Sequence, residues 1–127
     1  MMPKSFRDLD VFQIARKLAI EVHKMSLSLP KFELYEEGSQ IRRSSKSVVA
    51  NLVEGFGKRN YKNDFLRDVT IAIAECDETQ VHLELLYETG SLSNEQLYKN
   101  LSEEYRKLAK MLNRFHGSIF SNHISSR

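Results

Sequence analysis

The sequence predicts an all-α fold, an antiparallel up-down-up-down four-helix bundle, on three observations. Apolar residues recur in alternating steps of three and four along three segments, the spacing that sets them on one stripe of a helix, and a fourth segment carries apolar residues with small serines between them. The 127 residues include only two prolines and five glycines, and aliphatic and charged residues dominate, a balance that favours helices over strands. The segments are joined by about 4 to 11 residues, too few to let long neighbours run side by side in the same direction.

The first helix, about 8–28, is carried by Val11, Ala15, Leu18, Val22, Met25 and Leu29, and Pro30 ends it. The second, about 36–54, carries Ile41, Val48, Val49, Leu52 and Val53 with Ser44, Ser45 and Ser47 between them. Gly55 and Gly57 are expected to stop it. The third, about 62–89, repeats most regularly, through Phe65, Val69, Ala72, Cys76, Thr79, Leu83 and Leu86, with Gly90 as its stop. The fourth, about 93–119, repeats through Tyr98, Leu101, Tyr105, Leu108, Leu112, Phe115 and Ile119. Ser93 and Gln96 read as its capping box, and 121–127 as a frayed tail. The seven-residue repeat predicts crossing angles near +20°. A chain of this length makes one domain, 1–127.

The apolar positions exceed what one bundle interior needs. Leu66, Ile71, Ile73, Val81 and Leu85 lie off the main stripe of the third helix, and Leu9, Phe12, Ile14 and Ile20 off that of the first. A homo-oligomer accounts for both extra faces, and a wide stripe in a monomer is the alternative.

Composition excludes several classes. No apolar run reaches the roughly 20 residues of a membrane span, and Met1 to Arg7 lacks the apolar core of a signal peptide, so a soluble cytoplasmic protein is expected. One cysteine, Cys76, rules out an internal disulfide or a multi-cysteine zinc site, and its place on the apolar stripe makes it a core residue. Glu78 and His82 are spaced to share a metal, but no Glu-x-x-His pair or further ligand set accompanies them, so no metal or other cofactor is expected. His23, His116 and His123 are scattered, with no nucleophile placed for a triad. Tyr98 and Tyr105 are expected to pack with their hydroxyls at the rim. No small-molecule substrate and no catalytic residue is indicated.

The stretch Asn51-Leu52-Val53-Glu54-Gly55-Phe56-Gly57 admits a catalytic, a phosphate-binding or a structural reading. General-base chemistry by Glu54 needs a reacting partner that the sequence does not supply. The glycines beside Lys58 lack the spacing of a nucleotide loop. The structural reading is preferred. The macrodipole disfavours the charge of Glu54 at the C-terminal end of its helix, so Glu54 needs the third helix's N–H groups, Lys58 or Arg59 nearby, while Gln40 and Asn51 bridge helices through their amides. Gln40, Asn51, Glu54, Gly55 and Gly57 then form a joint.

The net charge of +2 hides a dipole: 40–67 carries seven bases and two acids, and 68–90 carries six acids and no base. Arg42, Arg43, Lys46, Lys58, Arg59, Lys62 and Arg67 form the basic group. They favour a polyanionic partner, or they pair with Asp68, Glu75, Asp77, Glu78, Glu84 and Glu88 of the same or an adjacent subunit.

The phrases FRDLDVFQIARKLAIEVH (Phe6 to His23), Leu29-Pro30 with Glu33, and QIRRSSKSVVANLVEGFGK (Gln40 to Lys58) resemble the bacterial four-helix-bundle family whose founding members are encoded by intervening sequences inside 23S ribosomal RNA genes. The likeness covers about Phe6 to Phe115. Ser44 and Ser45 stand where family members commonly carry alanines, and Glu75-Cys76 where they carry Gly-Ser. The resemblance implies a homopentamer of four-helix bundles without known enzymatic activity. A structurally similar accessory protein of diversity-generating retroelements, also a basic pentamer, engages nucleic acid. The expectation is a non-enzymatic homo-oligomer binding RNA or another nucleic acid through Arg42, Arg43, Lys46, Lys58, Arg59 and Lys62. The alternative is a protein-protein scaffold whose charges pair its subunits.

Overall fold

The structure, a computed structural model, describes residues 2–125, with side chains as far as Ser121. A 3-10 turn, Phe6–Asp8, is capped by the Ser5 hydroxyl, which accepts from the Arg7 N–H at 3.1 Å, and leads into α1, Asp10–Ser26. A second 3-10 turn, Lys31–Leu34, follows Pro30, whose missing N–H is no loss at the start of a turn. Then come α2, Glu37–Gly57, α3, Lys62–Glu88, and α4, Glu95–Ser125. No strand occurs among the described residues.

The helices close a ring of contacts in which α1 packs on α2 and α4, and α3 on α2 and α4. The stripes read from the sequence are the faces turned inward. Ala15, Leu18 and Val22 of α1, Ile41, Val48 and Leu52 of α2, Phe65 through Leu86 of α3, and Leu101, Leu108 and Leu112 of α4 are all buried. Each of the larger side chains contributes about 1.5–3 kcal/mol by leaving water. Pairings between α2 and α3 fix their register: Glu37 meets His82, Ser44 is hydrogen-bonded to Thr79 at 2.8 Å, and Gly55 lies against Asp68. Between α3 and α4, Tyr87 stacks on Tyr98 with centroids 4.1 Å apart, and Phe65 meets Phe115 edge-on at 5.9 Å.

Three boundaries differ from the sequence reading. Gly55 and Gly57 do not stop α2, which runs through both of them; Lys58 and Arg59 close its last turn by donating to the Gly55 and Phe56 carbonyls at 3.0 and 3.1 Å. Neither glycine has a positive φ, so nothing in their backbone breaks the helix. The cap of α4 is Asn94, whose Oδ1 accepts from the Leu97 N–H at 3.0 Å, one residue beyond the predicted Ser93; Gln96 instead donates to Asn100 at 2.9 Å. α4 passes through Gly117 to Ser125, so most of the predicted tail is helical, while Ser126, Arg127 and the His123 side chain lie outside the described residues.

Gly90 behaves as predicted. At φ 86° it takes the left-handed conformation that ends α3, its N–H donates to Tyr87 at 3.1 Å, and the Leu92 N–H reaches back to Leu86 at 2.9 Å.

Gly117 is a helical glycine with open space where a Cβ would stand. Alanine there is expected to stabilise the bundle by about 0.5–1 kcal/mol, because only the backbone entropy and propensity penalty of glycine changes. A thermal melt raised by a few degrees checks it; a lowered one shows a contact at that position.

Candidate nucleic-acid interface

The six basic residues singled out in the sequence separate into four places. Arg42 is half-buried and ties the first connection to α2: its guanidinium donates to the Leu34 carbonyl at 2.7 Å and to the Ser26 hydroxyl at 3.2 Å. Arg43 lies across α3, 3.5 Å from Glu78 and 4.0 Å from Glu75. Arg43 thus meets the acidic third helix of its own subunit, as the charge-pairing alternative expects, whereas Arg42 is held by neutral oxygens. Lys46 is exposed on the outer side of α2. There it edges a groove of about 550 Å³ whose floor is Ala19, Ile20, Val49 and Ala50 and whose other basic edges are Arg16, His23 and Lys24.

Lys58, Arg59 and Lys62 do come together, at the end of the bundle where α2 turns into α3. Lys58 Nζ is 3.1 Å from the buried Asp68 carboxylate and 4.0 Å from exposed Glu54. Arg59 covers the Phe56 ring at 4.2 Å from its centroid and donates to the Phe56 carbonyl at 3.1 Å. Lys62 Nζ stands 4.5 Å from the centroid of Phe120, brought in from α4. Two large aromatic side chains remain open to solvent among these bases, Tyr61 at 69% and Phe120 at 56% exposure. Asn60 and Asn63 line a shallow depression beside Tyr61.

Of the five residues read as a joint, Gly55 lies at the α2–α3 contact and Glu54 stands 4.0 Å from Lys58. The partner of Lys58 is Asp68 of α3 more than Glu54, and Gly55 allows that approach, since a Cβ there would stand 3.0 Å from the Asp68 Cβ and 3.4 Å from the Phe65 ring. Asn51 does not bridge helices: its Nδ2 donates to the Ser47 carbonyl and hydroxyl of its own helix at 2.8 and 3.0 Å. Gln40 is exposed, and its side chain makes no hydrogen bond among the described residues. Gly57 faces open space.

Other reactive groups are turned inward. Cys76 is fully buried, and burial, reinforced by Asp77, pushes its thiol up to about 12, which keeps it neutral. Tyr105 is also interior rather than at the rim. Its hydroxyl meets no partner among the described residues, and burial raises its pKa. His82 sits between two carboxylates, Nδ1 at 2.6 Å from Glu37 and Nε2 at 3.5 Å from Glu78, so the Glu78–His82 pair is part of the α2–α3 seam. Among the described residues no group of three His, Cys, Asp or Glu is arranged to hold a metal, and no helix is long and apolar enough to cross a membrane.

Tyr61 and Phe120 were missed in the sequence, as were Arg16 and Lys24. Tyr61 was legible, standing inside the basic run Lys58-Arg59-Asn60-Tyr61-Lys62. Phe120 was not, because only the packing of α4 brings it there.

Residues 7–114 match the family model described as 23S rRNA-intervening sequence protein. A solved structure of a protein with unknown function from the S23 ribosomal protein family of Bacteroides thetaiotaomicron superposes with a TM-score of 0.71 at 27% identity, covering 84% of this chain and 95% of that one. Curated proteins show no significant match.

Proposed function

We propose that this chain, which belongs to the 23S rRNA-intervening sequence protein family, is a non-enzymatic, cytoplasmic, self-associating bundle that binds RNA at its α2–α3 end. The observation that carries the reading is the pair of exposed rings, Tyr61 and Phe120, set among Lys58, Arg59 and Lys62. Every base has a π-face that stacks on such rings, and the cations neutralise phosphates, so the chemistry suits unpaired nucleotides in loops or single strands. An antiparallel up-down-up-down arrangement is supported by pairings in which numbers rise on one helix as they fall on the next: Glu37 with His82, Ser44 with Thr79, Phe65 with Phe115, Tyr87 with Tyr98. Five copies is the stoichiometry drawn from the resemblance.

The test is fluorescence anisotropy with a labelled single-stranded RNA, titrated at several salt concentrations. Stacking contributes about 1–3 kcal/mol per base, so Tyr61→Ala and Phe120→Ala are each expected to weaken binding roughly tenfold. Lys62→Ala lowers the salt dependence. Lys58 is a poor probe because its loss also takes from buried Asp68 its nearer cation, leaving Arg67 at 3.9 Å. Absence of a saturable complex, or affinity untouched by both aromatic changes, rejects the reading.

The second reading, a protein-protein scaffold, is favoured by Arg43 and Lys58 being paired with α3 and by the apolar face that α3 leaves exposed. It expects assembly to persist and RNA to be ignored in the same titration.

A further inference from the structure

We infer that the outer face of α3 in one copy docks into the groove between α1 and α2 of a second copy. The inference rests on the self-association proposed above and names the two surfaces that meet. The groove is apolar at its floor, and its rim residues Arg16, Lys24 and Lys46 make no ion pair among the described residues. The α3 face presents Ile71, Val81 and Leu85 at 39, 50 and 39% exposure, with Ala74 and Glu78, the latter paired with Arg43 and His82, at the heptad positions between them. This stripe is distinct from the fully buried one that begins at Phe65. Exposed Asp77, Glu84 and Glu88 flank it, also without an ion pair among the described residues.

The two surfaces match in character and length. Arg16 and Lys24 are two turns apart, about 12 Å, which admits the turn holding Val81 and Leu85 with its flanking acids at the height of the basic rim. Each surface supplies the charge the other lacks, which fixes register as well as partner. The contact cannot form within one molecule, because α1 and α3 stand at opposite corners of the ring of helices. Each copy carries one groove and one face, so the association is head-to-tail.

Sedimentation equilibrium of the full chain tests this with three variants: Lys24→Glu with Lys46→Glu, Glu84→Lys with Glu88→Lys, and all four together. The parent is expected to assemble, each two-site variant to weaken association at least a hundredfold, and the four-site variant to regain it. Helical circular dichroism accompanies each. If the parent is monomeric at every concentration, both the docking and the self-association fall. If the parent assembles and the two-site variants match it, or if the folded four-site variant stays dissociated, the docking alone falls.

Should a charge variant lose its helical signal, Ala50→Cys combined with Leu85→Cys decides. Under added oxidant, intermolecular disulfide ladders are expected, with buried Cys76 taking no part, and monomer bands alone overturn the docking.

Discussion

Replacing Gly38 with alanine is expected to lower stability by about 3 kcal/mol, although alanine is the better helix former. Gly38 lies in the first turn of α2, where a Cβ would stand 2.4 Å from the Glu33 carbonyl oxygen and 3.1 Å from its carbon. These are backbone atoms of the preceding turn and have little freedom to retreat. The Arg42 guanidinium closes the third side at 3.3 Å. Propensity favours alanine by about 1 kcal/mol, so the steric term decides the sign. The disturbance spreads, because the buried Glu33 carboxylate accepts the Gly38 N–H at 3.3 Å and the Ser91 hydroxyl through its other oxygen. Urea unfolding beside the Gly117→Ala variant checks it; equal shifts of the same sign in the two would show that the close approach has no energetic consequence.

Phe65→Ala is expected to cost about 4 kcal/mol, against a total stability of roughly 5–15 kcal/mol for a domain. Phe65 is fully buried in the first turn of α3, edge-on to Phe115 of α4 and against Gly55 of α2. Three helices meet on one ring, so no single side chain can move in to fill the space. Phe65→Leu keeps most of the volume and is expected to cost under about 1.5 kcal/mol. Calorimetric or urea measurements of the pair settle it, and a loss below 1 kcal/mol for the alanine variant would show that the site collapses.

The helices were legible because their stripes are long and regular. Phe65 through Leu86 repeats across three heptads, and every one of those positions is buried. The boundaries were less legible because a glycine or serine signals a stop only when the chain needs one. Gly55 serves the approach of Asp68, and Asn94 takes the cap from Ser93. Of the predicted binding residues, sequence proximity grouped Arg42 and Arg43 with Lys58, Arg59 and Lys62. The helical screw turns the first two onto neighbouring elements, while Phe120, distant in sequence, joins the last three.

Glu33 carries a consequence for how this fold tolerates change. One carboxylate clasps both the chain entering α2 and Ser91 in the crossing between α3 and α4. The two crossings at that end therefore share a single fastening, and an insertion or deletion in either would pull on the other. The turn between α2 and α3 lies outside this coupling, so a change in its length is expected to leave the fastening at the opposite pole in place.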